Sequence, residues 1–261
     1  MAAGNLLKTI VKTAFDKGGG LSFARWKNRK GLRILMYHRF REPEPLARQL
    51  QHIRKHYSPV SMKQVSDWLS NAGPLPENAL AVTVDDGYRD FYQVAHPVFR
   101  EYGIPVTVYL VSGFLDRRLW LWVDQVRYAF LHSPAPSFRQ DLSGHPPRTF
   151  ELGTTESRKA AGHAVAEAAK KLANSARLQL LERLPNQLEI DLPEDAPPEH
   201  EPMHWEEARE LAAGGIVELG AHTCTHPVLS RIASQQELED ESAGSKLRIE
   251  EQLDRPVDHF C

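Results

Sequence analysis

Short apolar runs alternate along the chain with segments in which apolar residues recur every three or four positions. The runs are rich in β-branched residues and predict strands at residues 33–37, 80–84, 105–111 and 216–219. The helical spacing predicts helices at residues 46–57, 61–69, 91–102, 204–213 and 234–253. Because strands alternate with helices, the pattern predicts βαβ units around a parallel sheet, and therefore the fold class α/β. The strand at 33–37 is predicted to be buried.

The alternation stops between residues 115 and 203. Within this interval the sequence predicts a helix at 122–131, a loop at 133–150, one long Ala-rich helix at 157–184 and an acidic, Pro-rich connector at 185–202. It predicts no strand there. We therefore expect a largely helical insertion at about 115–203, carried on an α/β domain that spans residues 31–261. Residues 1–30 are interpreted as an N-terminal leader.

Two groups of potential metal ligands each follow one of the predicted strands. Asp85, Asp86 and Gly87 form the first group, and His222 and His226 form the second. Because sites in α/β folds are assembled at the carboxyl ends of strands, the two groups are expected to meet. Neighbouring side chains of an extended segment point in opposite directions, so one Asp can bind a metal while the other acts as a base. The alternative for Asp-Gly alone is an ordinary turn.

The spacing His-x-x-x-His is weak evidence by itself, because it occurs three times in this chain. His52 and His56 lie on a predicted helix, and His200 lies with His204 next to the Pro-rich connector. We predict that these four face solvent. The third pair follows a strand, and two imidazoles with one carboxylate suit a divalent ion, zinc best. The same ligands also accept cobalt, nickel, manganese or iron.

Composition narrows the classes of function. The 261 residues are 41% hydrophobic and 25% charged, with a net charge of −2. This balance predicts a globular domain without affinity for nucleic acid. No apolar run reaches the length of a transmembrane helix or a signal peptide, and the two cysteines do not make a disulfide framework, so a cytoplasmic location is predicted. Residues 5–15 could form a weak amphipathic helix that, with the basic residues after it, contacts a membrane surface; a solvated leader is the alternative.

The residues around the two groups resemble the first two motifs of the polysaccharide deacetylases, the NodB-homology or carbohydrate esterase family 4 group. The motifs are Thr-Val-Asp-Asp-Gly-Tyr at residues 83–88 and Gly-Ala-His-Thr-Cys-Thr-His-Pro at 220–227. Met-Tyr-His-Arg at 36–39 and Tyr-Gly-Ile-Pro-Val at 102–106 are similar to flanking strands of the family. The similarity covers roughly residues 32–114 and 203–261.

This resemblance implies a distorted (β/α) barrel and removal of acetyl groups from N-acetylated sugars. It assigns Asp85 as the general base and Asp86, His222 and His226 as ligands of a divalent metal that activates water. His38 is the candidate general acid; a buried histidine with a structural hydrogen bond is the alternative. Family members usually continue beyond a segment like 256–260, so the resemblance also implies a barrel that is incomplete at the C-terminus, with marginal stability.

Three further residues are candidates for substrate binding. A backbone N–H near Tyr88 could stabilise the oxyanion, and Trp122 with Asp124 could hold a sugar, since aromatic rings stack on sugar faces. The alternative for the tryptophan is a hydrophobic anchor for the insertion. Two rival functions stay open: a catalytically silent carbohydrate-binding protein of the same fold, and a metal-dependent hydrolase of a non-sugar amide or imide. The sequence does not indicate an oligomeric state.

Overall fold

A computed structural model describes Thr13, Phe15, residues 17–140 and residues 147–261. It confirms the predicted α/β class. The predicted helix at 5–15 lies almost wholly outside the described residues. The seven strands are β1 (Arg33–Tyr37), β2 (Ser58–Pro59), β3 (Ala79–Val84), β4 (Val106–Leu110), β5 (Ser137–Gln140), β6 (Arg148–Glu151) and β7 (Val217–Ala221). Four of them match the predicted strands to within two residues.

The central sheet is parallel, with the order β1-β3-β4-β7. One edge of β3 pairs with β1 along its length, while the other edge pairs with β2 at its start and with β4 at its end. Phe260 extends the sheet beyond β7 through a parallel bridge to Ala221. The sheet is barrel-like but is not closed within the part of the chain that the structure describes. All four long strands therefore direct their carboxyl ends to one rim.

Helices cover the sheet and bury one main core between the two layers. The α-helices of the described structure are α1 (Gly20–Lys27), α2 (Pro43–His56), α3 (Met62–Leu69), α4 (His96–Tyr102), α5 (Ser112–Leu115), α6 (Trp122–His132), α7 (Thr155–Ala169), α8 (Asn174–Gln187), α9 (Trp205–Ala213) and α10 (Gln235–Leu253). Ser61 and Gln64 form a capping box at the start of α3. Gly103, at φ 60°, ends α4. No described helix has the length and apolarity to cross a membrane.

The prediction that 33–37 is a buried strand was wrong. In β1 the side chains of Ile34 and Met36 are 51% and 58% exposed, and Leu35 is 38% exposed. The reason is topological, because β1 stands at the edge of the sheet in the described structure and only β3 pairs with it. An apolar run does not reveal whether its strand lies inside a sheet or at its edge.

The insertion differs from its prediction in two places. The predicted loop contains an antiparallel hairpin, β5 with β6, and the predicted long helix is divided into α7 and α8 by a break near Leu172. Phe138 and Phe150 point inward from the hairpin and pack with Phe130 in a second core that the insertion forms for itself. The alternation in each strand covers only four residues, which is too short to stand out from a loop.

Candidate active site

Asp85 and Asp86 sit at the end of the fully buried strand β3. The backbone N–H of Asp85 donates to the carbonyl of Tyr37 at 2.9 Å, so Asp85 continues the backbone hydrogen bonds between β3 and β1. The chain then turns sharply, with φ of 79° at Asp86 and 84° at Gly87. A Cβ at Gly87 would lie 3.0 Å from the side chains of Leu110 and Leu115, so this position requires glycine. The turn aims the two carboxylates in different directions.

His222 and His226 occupy the loop after β7. Two left-handed residues, Thr223 at φ 69° and His226 at φ 60°, fold this loop back on itself. The hydroxyl of Thr223 accepts the backbone N–H of His226 at 3.0 Å, and Ser245 on α10 donates to the Thr223 carbonyl at 2.8 Å. These bonds direct both imidazoles towards Asp86.

The described structure brings the three predicted metal ligands together. One ligand atom each from Asp86, His222 and His226 lies within 4.8 Å of the other two. The Nε2 atoms of His222 and His226 are 3.6 and 3.3 Å from Oδ1 of Asp86, and this oxygen has no hydrogen-bond partner among the described residues. Nδ1 of His222 is 2.7 Å from the carbonyl of Cys261, which leaves its Nε2 free to bind a metal. The donor set fits a divalent cation.

Burial controls the charges in this cluster. It raises the pKa of Asp86 to about 7, with Asp85 adding to the rise and His222 opposing it. Burial and then the neighbouring His222 lower the pKa of His226 to about 3. His226 is therefore a neutral imidazole, the form that ligates metals, and a cation would supply the positive charge that a buried carboxylate needs.

Asp85 and His38 stand beside the three ligands without belonging to them. Nε2 of His38 is 3.9 Å from Oδ2 of Asp85, and the other carboxylate oxygen, Oδ1, is buried without a hydrogen-bond partner in the described structure. Burial raises the pKa of Asp85 above its ordinary value, while His222 and His38 oppose the rise. The side chain of His38 is 48% exposed, so it is not the buried structural histidine of the alternative interpretation.

The predicted contact of Asp124 with a sugar needs correction, because its side chain is buried, at 4% exposure. The ring of Tyr88 is buried as well, at 5%, but the prediction for this residue concerns the backbone N–H near it. The Tyr88 hydroxyl donates to Oδ2 of Asp124 at 2.5 Å, and Nδ1 of His200 lies 3.0 Å from the same oxygen. Although burial pushes the pKa of Asp124 up, the hydrogen bonds and charge of these neighbours bring it below its ordinary value. Tyr88, Asp124 and His200 therefore support the loop after β3 from inside the protein. His200 was wrongly predicted to face solvent.

Trp122 also lies inside the molecule, which overturns its predicted stacking on a sugar. Its ring is 5% exposed, its Nε1 donates to the His226 carbonyl at 2.9 Å, and the guanidinium of Arg177 lies over it at 4.9 Å. The alternative interpretation fits this arrangement, because Trp122 fastens the insertion to the histidine loop. A buried aromatic ring and an exposed one look the same in a sequence.

Two further charged residues near the site were missed. Arg39 lies over the ring of Tyr88 at 3.9 Å and donates to Asp90 at 2.6 Å. Glu241, on α10, accepts the backbone N–H groups of Cys224 and Thr225 at 2.8 and 2.9 Å and so holds the histidine loop. The sequence does not distinguish Glu241, because it is one of several acidic residues on a polar helix. Arg39 directly follows the candidate acid His38, and this adjacency is the only feature of the sequence that could have indicated its place near the site.

Replacing Glu241 with alanine should reduce the free energy of unfolding by about 2 kcal/mol, because it leaves two loop N–H groups and a hydroxyl without an acceptor. Urea unfolding followed by circular dichroism measures the loss. Glu239→Ala is the matched control on the same helix, since this side chain is exposed and should change stability by less than about 0.5 kcal/mol. Equal effects of the two substitutions would contradict the bracing role of Glu241.

Residues 72–261 match the family model described as polysaccharide deacetylase. Among curated proteins, the chain is 28% identical over 109 residues to YxkH of Bacillus subtilis, whose name describes a polysaccharide deacetylase. It is 33% identical over 72 residues to the poly-beta-1,6-N-acetyl-D-glucosamine N-deacetylase of Escherichia coli. These stretches are 39% and 27% of this chain, and they span 39% and 11% of the two relatives.

Solved structures show the same fold. The structure of IcaB from Ammonifex degensii aligns with 88% of this chain and 73% of its own, with a TM-score of 0.51 and 16% sequence identity. At this identity the likeness establishes the architecture only.

Proposed function

Because the chain belongs to the polysaccharide deacetylase family, we propose that it is a metal-dependent hydrolase that removes acetyl groups from the N-acetylated sugars of a polysaccharide or glycoconjugate. The observation that carries the proposal is the convergence of Asp86, His222 and His226, with Asp85 beside them, at the carboxyl ends of two parallel strands. Residues 136 or more positions apart in the chain meet there. If the segment after β3 were only a turn and the segment after β7 only a loop, there would be no reason for their carboxylate and imidazole groups to meet.

The roles of the residues follow from their positions. Asp86, His222 and His226 would hold the cation, which when bound polarises the acetyl carbonyl and lowers the pKa of water. Asp85 accepts a proton from the attacking water through Oδ1, the oxygen without a hydrogen-bond partner in the described structure. His38, on the exposed side of the site, donates a proton to the departing nitrogen. The products are acetate and a free amino sugar. The backbone N–H near Tyr88 stays the predicted donor to the oxyanion.

The name of the Escherichia coli relative supports the choice of substrate class, since it describes removal of acetyl groups from a polymer of N-acetylglucosamine. We propose the same class here, an N-acetylhexosamine glycan. Zinc is proposed as the metal, because imidazole nitrogen predominates in the donor set. A cytoplasmic location stays a prediction, which cell fractionation would test.

Of the two rival functions, the catalytically silent glycan-binding protein is disfavoured by the buried Asp86 oxygen that accepts no hydrogen bond from the described residues. Burying a carboxylate at 4% exposure beside two imidazoles costs free energy, and sugar binding at the surface gives no reason for it. Hydrolysis of a non-sugar amide or imide uses the same residues, so the choice of substrate has to separate it.

A panel of substrates tests the proposal. The zinc-loaded protein should release acetate, measured by an enzyme-coupled assay, from oligomers of N-acetylglucosamine and leave cyclic imides and simple acetanilides unchanged. Release of product from the non-sugar amides alone would instead support a hydrolase of non-sugar amides or imides. No release from any substrate, together with binding of the sugar oligomers by a metal-free protein, would favour the silent binding protein.

A further inference from the structure

Helix α1 presents apolar side chains that no other part of the described structure covers. Leu21, Phe23 and Trp26 are 43%, 60% and 59% exposed, and the helix contains no buried residue. The ring centroids of Phe23 and Trp26 lie 5.9 Å apart, with the rings tilted by 32°, and the two rings form one aromatic surface. Phe15, which precedes the helix, is 52% exposed. Isolated exposed apolar residues are ordinary, but four large ones within twelve positions are a patch that calls for a partner.

The charge around this patch has a single sign. All five charged residues between positions 17 and 30 are basic, and Lys17, Arg25, Lys27 and Lys30 form no ion pair within the described structure. Arg29 lies over Trp26 and pairs with Glu77. Residues 1–33 hold eight of the chain's 32 basic residues and one of its 34 acidic residues, so the rest of the protein is acidic. The positive charge is therefore concentrated in one segment of the sequence.

We propose that α1 with its flanking basic residues, Lys17–Lys30 in sequence, is a peripheral docking surface for an anionic lipid bilayer. Tryptophan and phenylalanine settle at the boundary between headgroups and acyl chains, and lysine and arginine beside them attract anionic headgroups. A second copy of the chain is a poor occupant, because it would bring two clusters of five basic residues face to face.

The position of α1 determines how the docked protein would be oriented. Asn78, before β3, donates its N–H to the carbonyl of Arg29, so α1 is attached at the amino end of the sheet. His38 and Asp85 lie at the opposite end, beyond strands that rise roughly 3.3 Å per residue. A bilayer bound at α1 therefore leaves the catalytic rim facing away from it and open to a glycan in solution.

Sedimentation with lipid vesicles tests this surface on the full chain. Vesicles of phosphatidylcholine with phosphatidylglycerol should carry the protein down, and pure phosphatidylcholine should bind it far less. Phe23→Ser/Trp26→Ser should weaken binding by at least about tenfold through lost apolar burial. Lys27→Gln/Lys30→Gln should weaken it about fivefold per charge removed. Leu178→Ser/Leu247→Ser is the matched control, since these side chains are 52% and 64% exposed on other helices and should leave binding unchanged.

Three results of the vesicle experiment would overturn the proposal. They are no sedimentation with anionic vesicles, equal binding to neutral and anionic vesicles, and loss of binding in the control variant equal to that in the α1 variants. A dimer in analytical ultracentrifugation without lipid that Phe23→Ser/Trp26→Ser dissociates would also overturn it, because α1 would then be an interface between copies. Circular dichroism verifies that each variant is folded. None of these outcomes depends on deacetylase activity.

Discussion

His222→Ala/His226→Ala is expected to abolish binding of a divalent metal and, with it, release of acetate. The double substitution removes two of the three ligand atoms that lie within 4.8 Å of one another and leaves Asp86 alone. Loss of an outer-shell partner alone typically costs 10–100-fold in metal affinity, and loss of two direct ligands should cost more. Metal content by mass spectrometry after dialysis, and calorimetric titration with zinc, measure the effect.

The chain contains its own control for this experiment. His52 and His56 have the same spacing, and their rings lie 4.6 Å apart on α2, but they form no ligand group with a carboxylate among the described residues. His52→Ala/His56→Ala should therefore keep the metal content and activity of the unaltered protein. If both double variants retain about one zinc per chain, the site is not where the geometry places it. If both lose it, the loss reflects the fold and not the ligands.

Asp85→Asn should reduce turnover by about 10²–10⁴-fold while metal binding is retained, because general base catalysis contributes about that factor. The amide has nearly the shape of the carboxylate but cannot take a proton from water. Asp85 is also not among the three ligands, so zinc content should stay near that of the unaltered protein. Steady-state release of acetate, measured together with metal content, separates the two effects.

Asp67→Asn is the appropriate control, since this carboxylate forms a surface ion pair with Lys63 on α3 and should leave turnover unchanged. An Asp85→Asn protein with full activity would assign the base to another group. An Asp85→Asn protein without metal would instead make Asp85 a ligand. His38→Gln should give a smaller loss, mainly in turnover, if His38 is the general acid.

The predicted strands and both motifs could be found from sequence because their signals are local. The run before Asp85 and the run before His222 each show a buried strand within five or six positions, and parallel strands necessarily deliver their ends to one rim. Ser61 and Gly103 fix helix ends through contacts with residues at most five positions away. Local rules were therefore enough for the fold class and for the meeting of Asp85, Asp86, His222 and His226.

The sequence could not decide which polar or aromatic side chains are buried. Trp122, Asp124 and Tyr88 have the residue types of a sugar-binding surface, yet the insertion folds so that all three are covered. His200 reaches Asp124 across 76 positions, and Glu241 reaches the histidine loop from a separate helix. Burial is a property of the assembled chain, because it depends on which distant segment lies on top.

The chain by itself thus determined an α/β fold and a rim that gathers residue types suited to bind a metal, since both follow from short-range pattern and strand direction. Tertiary structure alone decided that β1 is an exposed edge, that the insertion has its own core, and that Tyr88, Asp124 and His200 support the site from behind. The physical reason is the same in each case. Exposure and hydrogen bonding at these positions are set by neighbours far away in sequence, and no periodicity records them.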